Sequence, residues 1–571
     1  METMHTEHKL GFWRKYIFST DHKVIGIQFL MTSLIMFMLG GALALLLRWQ
    51  LAFPGKPFPV LGALFPSSMM VNGIMLPEFY NTLFTMHASL MIFFAIIPIL
   101  VGAFANYLIP LQIGAADMAF PKINMASYWL IPPAAVIVLA GFFLEGGAAS
   151  TGWTAYPPLS VQQPAGQTCW IISVILVGTS SILGSMNYLT TIVNMRAPGM
   201  GFFRMPLPTW AIFITSVISL LATPVLASVL FLLLLDRTIG THFFLPEGGG
   251  HPLLWQHLFW FYSHPAVYIM ILPGMGLVSE VISVFSRKPI FGYHSMIYAI
   301  MAIAFLGFIV WGHHMFQSGM NPTIGTTFMV STLVIAVPSA IKTFNWLGTL
   351  WRGNIRFTPA MLNAIAFVSM FVIGGLSGIF MASTAVDVFI HDTYFIVAHI
   401  HYVLFGGSMF AVFAGIYYWF PKMFGRMMND KLGYLHFIFT FVAFNGTFFP
   451  MHILGIGGMM RRIYDTTQYA HLAHFQPINV FITVSAFVLG VAQFFFLINF
   501  FGSIFWGKKA DRNPWEANTL EWTTSSPPPH GNFEQTPVVY RGPYEYSSPE
   551  SKLDWLPQDK KPDSIQSSVT H

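Results

Sequence analysis

The sequence predicts an all-α integral membrane protein with about twelve transmembrane helices and both termini cytoplasmic. Charged residues make up only 9% of the 571, and hydrophobic ones 55%, whereas soluble domains carry about 25% charged residues. Apolar runs recur at lengths able to cross a hydrocarbon core of about 30 Å. Basic residues concentrate in every second loop, which is how an orientation in a bilayer is written into a chain. The excess of 27 Lys and Arg over 22 Asp and Glu is therefore read as topology. No basic stripe suited to nucleic acid is present. The lone Cys169 excludes an internal disulfide and a cysteine-rich metal site.

From the N-terminus, residues 1–23 are polar, show no cleavable signal peptide and lead directly into the first span. The expected spans lie within Val24–Leu47, Tyr80–Ile109, Ser127–Leu144, Trp170–Val193, Thr209–Leu235, Trp255–Phe285, His294–His314, Thr326–Gly348, Thr358–Met381, Thr393–Phe420, Leu432–Gly455 and Ile478–Trp506. One set of loops and ends carries Lys9, Arg14, Lys15, Lys23, Lys122, Arg196, Arg204, Arg287, Lys288, Arg352, Arg356, Lys422, Arg426, Lys431, Lys508, Lys509 and Arg512. The opposite set has only Arg48, Lys56, Arg237, Arg461 and Arg462. Residues 24–507 thus form one transmembrane domain with the first set inside. Residues 508–571, which include SSPPPHGN, are expected to be an extended cytoplasmic tail without a core of its own.

Within this frame the histidines are not scattered. His399 and His401 sit two apart in FIHDTYFIVAHIHYVL, so on a helix they project about 200° from each other. That arrangement suits two metals, one on each side of the helix, and an ionisable group inside a membrane span is a functional hypothesis by default. At about 1.5 Å per residue, His87, His399 and His401 lie roughly 10 Å from the outer ends of their spans, and His264 roughly 14 Å. His313 and His314 close the outer end of the seventh span. Six histidines from four spans therefore share one layer in the outer half. In the sixth span, His264 and Tyr268 are four apart and share a helix face. The His313–His314 pair can complete a three-imidazole site with His264 if local helix distortion aims both inward. Imidazole suits copper, iron and zinc alike.

The segments YNTLFTMHASLMIFF, LFWFYSHPAVY, WGHHMF and HDTYFIVAHIHYVLFGG resemble subunit I of the heme–copper oxygen reductases, and the resemblance runs from about Phe18 to the tail. It implies two hemes, of type A, and a copper, CuB. His87 and His401 would be the axial ligands of a low-spin heme, and His399 the single ligand of a high-spin heme. His264, His313 and His314 would hold CuB, with Tyr268 cross-linked to His264 as the catalytic phenol. It further implies four-electron reduction of O2 to water coupled to proton pumping. Lys342, with Ser339 and Ser279, resembles the family's lysine pathway. Asp117, Asn106 and Asn124, continued by Ser180 and Ser181, resemble its aspartate pathway.

One position departs from the commoner family pattern. Ala266 stands where many relatives have a glutamate, and Tyr262–Ser263 resembles a subgroup in which that pair replaces it. A phenol with a reference pKa of about 10 suits a relay better than a loaded acid. Arg461, Arg462 and Trp153 resemble heme-propionate partners. Arg48 matches a position that meets the formyl group of heme A, although a loop charge set by topology is a comparable reading. His391 and Asp392 resemble a magnesium site at a subunit interface. Electrons must enter from elsewhere, because one cysteine cannot build the family's CuA centre and no CxxCH is present. The resemblance therefore implies a subunit II carrying CuA, a subunit III with small membrane subunits, and cytochrome c or a cytochrome c domain as donor, in a bacterial inner membrane. A quinol oxidase would share this core, a nitric oxide reductase would lack Tyr268 and Lys342, and a non-redox transporter would have no reason to align six histidines.

Overall fold

The computed structural model describes residues 11–60, 62–549 and 551–562; Lys9 and the outermost parts of both terminal segments lie outside the described residues. Eleven helices among these are long and apolar enough to cross a membrane, and one shorter apolar helix accompanies them. They are numbered here α1 His22–Ala52, α2 Pro77–Ile113, α3 Pro121–Phe143, α4 Ala165–Asn194, α5 Leu207–Thr238, α6 Pro252–Ser286, α7 Tyr293–Gly307, α8 Pro322–Leu350, α9 Pro359–Ala382, α10 Tyr394–Phe424, α11 Asp430–Ile456 and α12 Gln476–Trp506. The helix starts follow local rules. Asp21, Asn321, Thr358, Thr393 and Asn429 accept a hydrogen bond from a backbone N–H in the first turn of α1, α8, α9, α10 and α11. Proline opens α2, α3, α6, α8 and α9, where its missing N–H costs nothing. Below, the inner side is the one with most of the basic loop residues.

α2 and α6 are almost wholly buried, whereas α8 is largely exposed along its length. The centre of the bundle is therefore built around α2, α6 and α10. Two of these helices are not regular. α2 widens to π-helix over Leu90–Ile96 and Pro98–Phe104, and α10 over Leu404–Met409. Pro98 cannot donate into the α-helical ladder, and the wider turns in α10 begin three residues after His401.

The seventh span differs from the expectation. α7 stops at Gly307, and Trp311–Met315 form a separate 3-10 turn. The tail differs too. Among the described residues beyond α12 it has a single short 3-10 turn, Leu520–Trp522, yet Leu520, Trp522, Tyr544 and Tyr546 are buried against the inner ends of the helices. Lys422 of α10, fully buried, donates to the carbonyls of Arg512, Thr524 and Ser525. Arg287, at the end of α6, forms a two-pronged pair with Asp554. A polar composition conceals such widely spaced aromatic and ionic anchors.

Candidate metal centre

His87 on α2 and His401 on α10 face each other with parallel rings, tilted by 6° and with centroids 6.2 Å apart. The His87 Nδ1 lies 2.8 Å from the Gly40 carbonyl, and the His401 Nδ1 lies 2.7 Å from the Val397 carbonyl. A carbonyl can only accept, so both Nδ1 atoms carry the proton and both Nε2 atoms are left as lone-pair donors. Two metal–imidazole bonds of about 2 Å each fit that ring spacing. On the other side of α10, the Ser377 hydroxyl donates to the Gly374 carbonyl and therefore accepts from the His399 Nδ1, 2.9 Å away. Here too Nε2 is free. Gly378 allows the imidazole to sit against α9, since a Cβ there would come within 3.1 Å of the ring.

His264, His313 and His314 place one ligand nitrogen each within 4.8 Å of one another, the only such group of three found among the described residues. The His264 Nδ1 and the His314 Nε2 are 3.1 Å apart. Thr332 donates to the Phe328 carbonyl and so accepts from the His313 Nδ1 at 3.0 Å, which again leaves Nε2 as the ligand atom. The 3-10 turn brings the rings of His313 and His314 to 4.2 Å. Stacking of His314 on Trp260 at 3.8 Å fixes its plane. His264 Nε2 is buried with no partner among the described residues, and the Tyr268 ring lies 4.8 Å away from that imidazole. A side chain on Gly307 would collide with that phenol ring.

Around this layer, Trp153 packs on Phe259 and Trp260. Arg461 pairs with Asp392, while Arg462 lies over Phe84 and against Gly152. Burial pushes the Asp392 carboxyl up, but Arg461 and His391 outweigh it and hold the group below its ordinary value. His391 faces Asp387 at 3.4 Å, so His391 and Asp392 are each engaged by a different partner within this chain. Arg48 is not a loop charge. It is buried in α1, donates to Thr483 and to the Asn479 carbonyl, and has Nη1 without a partner.

On the inner side, burial raises the Asp117 carboxyl above its ordinary value, an effect that His22 and the Met118 N–H only partly offset. Asn106 donates to Tyr188, and both polar atoms of Asn124 are buried without partners. Ser180 and Ser181 line one small cavity with Ser127, Gly184 and Tyr188, and Ser180 donates to the Ser127 carbonyl. Sequence reasoning missed Tyr188, although Ser180, Gly184 and Tyr188 repeat at one-turn spacing on α4. It also missed His22, which bonds the Asn106 carbonyl from α1 and has no local signal. Lys342 is buried with no partner for its ammonium, 5.3 Å from the Trp346 ring, and Trp346 donates to Ser279. Ser339 lies one turn from Lys342 on α8. Beside His264 in the outer half, Tyr262 and Ser263 are buried, and the Ser263 hydroxyl has no partner among the described residues.

Opposed imidazoles, a third on the far side of the same helix and a three-imidazole cluster opposite it define a heme–copper oxidase core. The chain belongs to that class: the family described as Cytochrome C and Quinol oxidase polypeptide I matches residues 24–518. Among individual proteins, it is 52% identical over 557 residues to cytochrome c oxidase subunit 1 of Synechocystis sp., covering 97% of this chain and 96% of that one. It is 50% identical over 538 residues to cytochrome c oxidase subunit 1 of Thermostichus vulcanus, covering 94% and 93%. The fold matches that of a heme-copper terminal oxidase dimer solved by cryo-EM, with TM-score 0.73 at 18% identity over 86% of this chain and 85% of that one.

Proposed function

We infer that this chain is the catalytic subunit of a cytochrome c oxidase, reducing O2 to water. The observation that carries the reading is the pairing of the family match with three separate sets of imidazoles whose ligand nitrogens are left free by their own hydrogen bonds. His87 and His401 would hold the low-spin heme, His399 the high-spin heme, and His264, His313 and His314 CuB. When bound, the low-spin heme relays electrons, and the high-spin iron and copper supply them to O2 together. Gly40, Val397, Ser377 and Thr332 keep the ligating tautomers in place. His87 and His401 would hold one heme between two imidazoles, whereas His399 is the single imidazole offered on its side of α10.

Tyr268 serves as the catalytic phenol, giving a proton and an electron. Its link to the orphaned His264 Nε2 replaces an aromatic C–H and the imidazole N–H by one C–N bond, releasing two protons and two electrons to the enzyme's own oxidant, O2. Lys342, with Ser339 and Ser279, supplies protons towards Tyr268 from the inner side. Asp117, Asn106, Asn124, Ser180 and Ser181 form the second route, and Tyr262–Ser263 relays where Ala266 cannot carry a proton. Pumping through that relay is expected, and wild-type vesicles that turn over without acidifying the medium would refute it.

The unpartnered Arg48 Nη1 favours heme A, because a ring formyl group would accept from it. Arg461, Arg462 and Trp153 would surround the propionates. His391 and Asp392 would take magnesium only with ligands from a second subunit. The partners in this reading are subunit II carrying CuA, subunit III with small membrane subunits, and cytochrome c. The membrane is the bacterial inner one, with residues 1–23 and 508–571 cytoplasmic. The decisive test is an optical spectrum of the dithionite-reduced protein before and after CO, with heme extraction. Two hemes, one of which shifts with CO, and heme A in the extract are expected. No heme, or two that bind CO, would overturn the assignment.

A further inference from the structure

Two acids are buried at the inner end of the bundle, and neither belongs to the proton routes described above, although Glu280 directly follows Ser279. Glu280 of α6 and Glu521 of the tail are both fully buried. Glu521 accepts at one oxygen from Gln112 and Trp419, at 3.1 and 3.2 Å, and Glu280 accepts at one oxygen from Thr519 at 3.3 Å. The second oxygen of each carboxyl has no partner among the described residues. Three further polar atoms, on α10 and on the tail, are buried without hydrogen-bond partners among the described residues: the Tyr418 hydroxyl, the Trp522 indole N–H and the Asn518 amide nitrogen. Tyr418 lies within electrostatic reach of both acids.

The charged and titratable neighbours do not neutralise the pair. Tyr544 and Tyr546 of the tail approach Glu280 and bring no positive charge. Lys422 is the cation facing Glu521, and its ammonium already donates to three backbone carbonyls. Arg287 is held by Asp554 and by the Trp515 and Glu516 carbonyls. Two like charges cannot share such a place without a proton between them. Burial raises the Glu521 carboxyl above its ordinary value, in the same sense.

We propose that Glu280 and Glu521 form a proton-holding site at the inner end of the bundle, binding at least one proton between them together with ordered water that also meets Tyr418. The protonated carboxyl donates, and the other carboxylate or a bridging water accepts. Buried water characteristically takes two to four polar partners, and the unmatched oxygens of the two carboxyls with the Tyr418 hydroxyl would supply them. The tail supplies half of the site, so its docking gives the oxidase a proton-holding group beside Ser279 of the lysine route.

Infrared spectra of the complete, heme-loaded oxidase, recorded as the difference between H2O and D2O, test this directly. A carbonyl band of a protonated carboxyl that moves on deuteration is expected in the wild type and is expected to vanish in the double variant E280Q/E521Q. Normal heme spectra with the full wild-type set of carbonyl bands in that double variant would overturn the proposal while leaving the oxidase reading intact; a wild-type protein without heme would overturn the oxidase reading instead. Should the double variant fail to assemble, Y418F keeps both acids and removes one hydroxyl beside them. It must shift the same band, and an unmoved band overturns the proposal.

Discussion

The histidine layer and the inner half of the bundle treat buried polar atoms differently. In the histidine layer four of the six rings are committed on one nitrogen to a carbonyl or a hydroxyl, so their other nitrogen is aimed without ambiguity. In the inner half, Lys342, Asn124, Glu280 and Glu521 carry buried atoms without partners among the described residues. Held ligands suit metal ions, which require fixed distances and tautomers. Loosely satisfied groups in an apolar surround suit protons, which need groups able to change partners. On the roles proposed above, one scaffold preorganises electron chemistry on one side and leaves proton chemistry adaptable on the other.

This contrast can be broken at several points. The largest effect is expected for His399→Ala, which removes the sole imidazole on its side of α10. Turnover should become undetectable, and the CO-sensitive heme signal should be lost while the low-spin signal set by His87 and His401 remains. Loss of both signals in an otherwise assembled protein would mean that the two sides of α10 are not independent. Lys342→Met comes next. It preserves apolar packing against Trp346 and removes the proton carrier, so turnover is expected to fall by about 100-fold, in the range of a lost acid–base group. Heme and copper contents should not change; copper loss would place Lys342 among the structural supports of the metal layer.

Thr332→Val tests the ordered half from its second layer. Removing the acceptor for the His313 Nδ1 should weaken copper retention by about 10- to 100-fold, measured as metal content after dialysis against a chelator. An unchanged content would show that the turn alone orients His313. The smallest effect concerns Asp117, and here the sign is opposite for activity and stability. Its folded carboxyl is raised above the ordinary value because burial disfavours the charge. The native state therefore binds the proton more tightly than the unfolded chain, and stability falls as pH rises from the ordinary carboxylate value through the raised one. At neutral pH, Asp117→Asn should slow turnover and slightly raise the midpoint of thermal unfolding, with the gain vanishing in acid. A lowered midpoint at neutral pH would argue that the charge is structural.

The metal layer was legible because its signal is local. His264 and Tyr268 share a face by spacing alone, and two histidines two apart on a helix must diverge. The 3-10 turn at Trp311–Met315 was anticipated only as a need for distortion, since adjacent helical residues cannot otherwise converge. Arg48 was misread as a possible loop charge because its partners, Thr483 and Asn479, lie more than 400 residues away. The tail escaped for a related reason. Its anchors to Lys422 and Arg287 are single contacts spread along an irregular chain, with no period to detect.

The sequence by itself determined that this chain crosses a membrane about twelve times, and which histidines and which lysine are placed within the spans. Hydropathy and helical spacing decide those properties over a few consecutive residues. Only the tertiary structure decided which nitrogen of an imidazole is free, where the tail docks, and that Glu280 meets the tail segment that carries Glu521. Those depend on carbonyls, hydroxyls and carboxyls brought together from distant helices, and a buried polar group is defined by the partners that packing supplies or withholds.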